Sequence, residues 1–204
     1  VDPLSLEERT DARFAQAANA LLDISRGDPT QETPPNGEPQ PRELLQTQNL
    51  VTWLRRLEPN ASTALRLAGY AQHVGRYRTP RSSYPAGRVG YLKWRTDQAK
   101  RHAETAASIL TQAGYDEAVI QRVRRIVTKS QRTQDAEVQT MEDALCLAFL
   151  EHEYPTFSAL HSDEKVIHIL QKTWGKMSDR AHTLATQLPF AGRPQQLLAK
   201  ALTG

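Results

Sequence analysis

The 204-residue chain contains one cysteine, Cys146, so no internal disulfide can staple it, and a reducing cytoplasmic setting is the expectation. No window approaches the ~18 consecutive apolar residues of a bilayer-spanning helix, so no membrane partner is expected. The first eight residues, VDPLSLEE, lack a cationic stretch followed by an apolar core, which argues against a secretory signal. No phosphate loop, dinucleotide fingerprint or Cys-x-x-Cys pair is present. Glycine is scarce at ten residues, and no stretch alternates apolar with polar long enough to make a convincing strand. Charge of one sign is also lacking: 26 Lys and Arg against 23 Asp and Glu leave only +3, which by itself implies no nucleic-acid partner. Any electrostatic argument must rest on where the charges sit.

What remains is helical periodicity. The chain reads as all-α, a single domain over 1–204 with about eight or nine helices. An N-terminal helix and a proline-rich loop occupy 1–40, a core spans 41–151, and further helices fill 152–204. The first helix is expected from about Leu6 to Ser25, with Phe14, Ala17, Ala18, Leu21 and Leu22 buried. Residues 28–41 hold five prolines and one glycine in fourteen positions and should be loop. A second helix starts near Pro41 and ends at Pro59; a third, capped by Asn60 or Ser62, ends by Gly75. Tyr77 to Gly90 reads as loop again. A fourth helix runs from about Tyr91 to Ala113, and a fifth follows Asp116 with Val119, Ile120, Val123 and Val127 inward. The apolar run Ala144–Leu150 belongs to a sixth helix buried nearly all round. Three shorter helices follow, opening at Ser162, Ser178 and Gly192-Arg193-Pro194.

The most uneven charge lies between His73 and Arg101. Arg76, Arg78, Arg81, Arg88, Lys93, Arg95, Lys100 and Arg101 face a single acid, Asp97, a local charge of +7 in a chain of +3. Tyr77, Tyr84, Tyr91 and Trp94 are interleaved with them. Arginine forks grip phosphates and aromatic rings stack bases, so this stretch is a candidate anion site, with Arg76, Arg81, Arg88, Arg95 and Lys129 as phosphate contacts. The alternative is a solvated loop and helix face paired to acids such as Glu104 and Glu142.

His73 and His102 border apolar helix stripes, and Asp143 leads into the apolar run. Each has a plain structural alternative: a helix-end histidine for His73, a surface or core histidine for His102, and a capping box at Thr140-Met141-Glu142-Asp143. That last alternative fails if the helix begins near Asp135. Cys146, inside the apolar run, is expected to be an inert core thiol. His152, His161, His168 and His182 show no recognised metal spacing.

The segment from Leu67 to Arg76 (LAGYAQHVGR) resembles the helix end of the HD superfamily of metal-dependent phosphohydrolases. His102-Ala103-Glu104 through Gly114-Tyr115-Asp116-Glu117-Ala118-Val119-Ile120 resembles the histidine-led helix and turn that follow, and Glu142-Asp143-Ala144-Leu145 sits where that superfamily places its last aspartate. The resemblance spans about 41–151. It implies an HD-like core in which His73, His102 and Asp143 act in catalysis and bind a divalent metal of unspecified identity. The sequence departs from the pattern in two places: Val74 stands where an aspartate should follow His73, and no histidine lies about thirty residues upstream, where Glu43 would have to serve as the ligand. More closely, Gln72–Tyr77, Pro80–Pro85, Gly90–Arg95 and Met141–Leu150 resemble an uncharacterised bacterial domain of unknown function, which imports no activity.

Two functions follow as expectations. One is a metal-dependent phosphohydrolase acting on a nucleotide or other phosphate ester; the other is a non-catalytic nucleotide- or RNA-binding module on a degenerate HD-like scaffold. The partner in either case is a phosphorylated anionic small molecule, or RNA.

Overall fold

The computed structural model describes residues 3–34 and 37–203. Positions 35 and 36 of the expected proline loop and the first two residues of the signal argument lie outside it. The described residues are all-α, with eleven α-helices and one two-residue strand pair, β1 (Gln31–Glu32) against β2 (Gln40–Pro41), antiparallel with Gln31 opposite Pro41. No described helix is long and apolar enough to cross a membrane. The chain divides into two compact units, Val1–Val138 and Gln139–Gly204. The boundary falls inside the span 41–151.

In the first unit, α1 (Leu6–Thr10) and α2 (Ala12–Arg26) replace the single helix expected from Leu6. Asp11 breaks it: its backbone is extended and its carboxylate accepts the Phe14 N–H, starting α2 afresh. The expected stripe of Phe14, Ala17, Ala18, Leu21 and Leu22 is fully buried. It packs on α3 (Arg42–Leu57) and α4 (Thr63–Ala71), the latter capped by Ser62. Gly69 of α4 allows that approach, since a Cβ there would fall 2.5 Å from Leu54 Cδ1. At the α1 end, Glu8 is buried with Arg55 Nη2 at 2.5 Å and the Tyr70 hydroxyl at 2.9 Å. Burial pushes the Glu8 carboxyl up, but the Ser5 N–H, Arg55 and Tyr70 together bring it below the usual glutamate range.

The long helix α5 (Gly87–Gln112) begins four residues before the expected Tyr91. Gly90 makes this possible: a Cβ would lie 2.0 Å from the Pro85 carbonyl oxygen, so only a bare backbone lets the first turn pass there. Helix α6 (Glu117–Thr128), capped by Asp116, packs on α4 and α5 with Ile120, Val123, Ile126 and Val127 buried. Ile126, rather than Val119, completes the stripe.

Helix α7 (Ala136–Ala148) starts directly after Asp135, whose carboxylate accepts the Glu137 and Val138 N–H groups. The capping box at Thr140 is therefore absent, and Glu142 and Asp143 lie in mid-helix, both about 5% exposed. Arg122 clasps this start through Asp135 and Glu137.

The second unit continues through a π-helical turn at Phe149–Glu153 into α8 (Tyr154–Leu160), followed by α9 (Asp163–Trp174), α10 (Asp179–Ala185) and α11 (Gly192–Thr203). Ser162 and Ser178 cap α9 and α10 as expected. Tyr154 is buried, donates to the Pro194 carbonyl at 2.7 Å and meets Phe190 edge-on at 5.3 Å. Neither the π turn nor α8 had a signal in the sequence pattern. Cys146 is buried, as expected.

Candidate functional site

Helix α4 ends at Ala71, and the chain turns through Gly75, which sits in the left-handed region at φ 69°. That turn is held from two sides. Glu43, at the N-terminus of α3, is buried and accepts the Gly75 N–H at 2.6 Å, the Tyr77 N–H at 3.3 Å and the Ser25 hydroxyl at 3.0 Å. Burial pushes its carboxyl above the usual glutamate range despite those donors. From the other side α5 supplies Gln98, whose amide donates to the Arg76 and Thr79 carbonyls at 3.0 and 2.9 Å, and Trp94, whose indole N–H donates to Thr79 at 2.9 Å. Gln98 was missed in the sequence reading. The one signal the sequence carries is its spacing of four from Trp94, which puts both side chains on one face of α5.

This turn brings His73 within electrostatic reach of His102. His102 is 4% exposed, and its Nδ1 lies 2.8 Å from the Val74 carbonyl oxygen. A carbonyl can only accept, so the hydrogen is on Nδ1 and Nε2 keeps its lone pair in the neutral ring. Burial depresses its pKa to about 4, with Arg76 and Arg101 opposing protonation further. His73 is half-buried as a residue, but its Nδ1 is sealed from solvent and has no partner. Burial holds His73 well below the usual histidine range, and the charges of Arg76, His102 and Lys129 act in the same direction. His73, His102, Arg76 and Lys129 are thus brought into one electrostatic neighbourhood.

The other expected residues already have hydrogen-bond partners. Glu43 lies against the Gly75 turn with its oxygens engaged as above. Asp143 belongs to the second unit, where it accepts from Ser178 N at 2.8 Å, Ser178 Oγ at 2.6 Å and Gln139 Nε2 at 2.9 Å. Among the described residues no group of three or more His, Cys, Asp or Glu is placed to hold a metal ion.

The basic loop is packed onto α5. Arg81 turns back on its own chain, donating to the carbonyls of Tyr84, Pro85 and Gly87 at 2.9, 2.8 and 3.2 Å. The Tyr84 hydroxyl donates to Asp97 at 2.9 Å, and Lys93 pairs with the same carboxylate at 2.9 Å. Arg76 lies over the Trp94 ring at 4.8 Å and Arg95 over Tyr91 at 5.8 Å. Arg78, Arg88, Arg95 and Arg101 are exposed and form no ion pair with a carboxylate among the described residues, although Arg101 lies within electrostatic reach of Asp97.

The fold and the site define an all-α protein with a buried and a half-buried histidine in one electrostatic neighbourhood and a packed, arginine-rich loop face. The chain belongs to the family described as Domain of unknown function (DUF4202), whose profile matches residues 15–198. Comparison with curated proteins and with solved structures finds no match.

Proposed function

We propose that the protein is a non-catalytic binding module for a nucleotide or RNA, which it engages through the face formed by residues 76–86 and α5, on a scaffold similar to the HD core. The supporting observation is the set of exposed arginines, Arg78, Arg88, Arg95 and Arg101, that form no ion pair among the described residues. Asp97, the single acid between His73 and Arg101, is already engaged by Lys93 and Tyr84. Cations left without ion pairs on a packed surface carry a sequence-independent attraction for a phosphate chain, and Tyr91, 44% exposed beside Arg95, offers a ring on which a base can stack. Arg81 serves this face as the clasp of the loop. Val74 in place of a carboxylate, and the engagement of Glu43 by backbone amides, favour binding without metal chemistry. The test is a fluorescence-anisotropy titration of a short single-stranded RNA at two salt concentrations. Binding that weakens with salt, and weakens further in Arg88→Gln/Arg95→Gln, supports the reading; no binding at low salt refutes it.

A second reading, a phosphohydrolase acting on a nucleotide or other phosphate ester, is favoured by the histidine pair. Two neutral imidazoles beside Arg76 and Lys129 are suited to proton transfer next to a phosphate, with His102 Nε2 as the unprotonated nitrogen. The donor set does not fit a metal as it stands: Glu43 and Asp143 already accept hydrogen bonds within their own units, and two imidazoles fall short of the three protein ligands of a catalytic site. Elemental analysis of protein purified without chelator, with a phosphate-release screen, separates the readings. Stoichiometric metal lost in His73→Ala, or phosphate release lost in His102→Ala, would favour the enzyme.

A further inference from the structure

A second charged feature, on residues that flank Lys129 and include Ala103 beside His102, lies between α5 and α6. A cleft of about 310 Å³ opens between them, flanked by Lys100 and Glu104 from α5 and by Arg124 and Arg125 from α6. Its volume is in the range of small-ligand sites. Three cations against one carboxylate give the lining a formal charge of +2, and none of the four side chains forms an ion pair among the described residues. Lys100 and Glu104 stand one helical turn apart on α5 and still do not pair. The Arg124 Nε is sealed from solvent without a partner. Three crowded cations against one carboxylate make this cleft electropositive, a setting that favours an anion.

We propose that this cleft binds a small phosphorylated polyol, of which a sugar phosphate is the simplest example. The charge selects the phosphate: a lining of +2 matches a phosphate monoester dianion, and two guanidinium groups supply planar forks for its oxygens. The rest of the wall selects the remainder of the ligand. It contains no aromatic ring, so it offers a nucleobase nothing to stack on, and Ala103 is its one apolar residue. Gln121, Glu104 and the hydroxyls of Thr128 and Ser130 instead present acceptors and donors suited to sugar hydroxyls. The end of α6 places two of these. Lys129 adopts the left-handed conformation at φ 57°, and the Ser130 N–H returns to the Arg125 carbonyl at 3.1 Å. That turn sets Ser130 Oγ 2.9 Å from Thr128 Oγ1, whose own hydrogen goes to the Arg124 carbonyl at 2.8 Å. With that hydrogen committed, the Ser130 hydroxyl donates to Thr128 Oγ1, and the Ser130 oxygen keeps a lone pair that can accept from a sugar hydroxyl.

Isothermal titration calorimetry of the full chain with ribose 5-phosphate, ribose, inorganic phosphate and AMP tests the assignment. Ribose 5-phosphate should bind saturably and more tightly than inorganic phosphate or AMP, and ribose should give no heat. Lys100→Gln and Arg125→Gln, both at exposed positions, should each weaken binding about tenfold, the loss of one charge-assisted contact, with unchanged thermal unfolding. Arg88→Gln/Arg95→Gln should leave it unchanged. No binding of ribose 5-phosphate, or binding indifferent to Lys100 and Arg125, overturns the site. Equal or tighter binding of inorganic phosphate or AMP overturns the polyol assignment. Loss of binding in Arg88→Gln/Arg95→Gln would move the ligand to the loop face and also overturn the cleft.

Discussion

Acidification should weaken this protein through His102, and the size of the effect follows from the burial of that ring. In the unfolded chain the imidazole titrates near 6.5, whereas in the fold burial lowers its pKa to about 4. A base depressed on folding binds fewer protons in the native state. Its stabilising contribution is therefore fully present above 6.5 and is lost as the pH falls toward 4. The full depression corresponds to roughly 3 kcal/mol, of which about 2.5 kcal/mol is realised between about pH 7 and about pH 4.5. His102→Gln keeps a donor for the Val74 carbonyl but cannot take up a proton. Urea unfolding of both proteins at the two pH values should show the wild type losing about 2.5 kcal/mol more than the variant. His73 shifts in the same direction and is present in both, so its contribution cancels except for the part that the charge of His102 adds to it. Equal pH dependence of the two proteins would refute a buried neutral His102.

Gly90→Ala should cost about 2–3 kcal/mol in urea unfolding, because its Cβ would fall 2.0 Å from the Pro85 oxygen; a neutral result would mean that α5 does not begin at Gly87. Glu43→Gln places an amide donor against the Gly75 or Tyr77 N–H and should cost about 1–3 kcal/mol, with loss of amide protection in residues 72–79 measured by hydrogen exchange. Asp143→Asn should cost a similar ~1–3 kcal/mol by opposing the Ser178 N–H, with the loss of protection confined to residues 139–203 and RNA binding unchanged; altered binding at unchanged stability would contradict the structural role.

The parts of the fold that could be read from the sequence are those decided within a few residues. Ser62, Asp116, Ser162 and Ser178 each accept a backbone N–H three positions on, so residue type and spacing suffice to place the helix starts. The early start of α5 was not legible, because it depends on Gly90 passing the Pro85 carbonyl, whereas glycine and proline together read as loop. The start of α7 was open between Thr140 and Asp135 until the Asp135 carboxylate was seen to cap it. At the candidate site, the basic stretch and the histidines stood out by charge density and by resemblance. The role of Glu43 did not, since its partners lie 32 and 34 positions away along the chain. Arg81, expected to contact phosphate, is instead turned to the carbonyls of its own loop, a choice that spacing alone does not determine.

The central claim is that the face of residues 76–101 binds phosphate-rich ligands through arginines that form no ion pair among the described residues. Anisotropy titration of a fluorescent single-stranded RNA into the wild type and Arg88→Gln/Arg95→Gln, each across a salt series, tests it most directly. The account predicts that affinity falls with salt in both proteins and that the double variant binds more weakly with a salt slope shallower by about 1–2, one unit or less for each phosphate contact removed. Identical affinities and slopes for the two proteins, or no binding by the wild type at low salt, would contradict it.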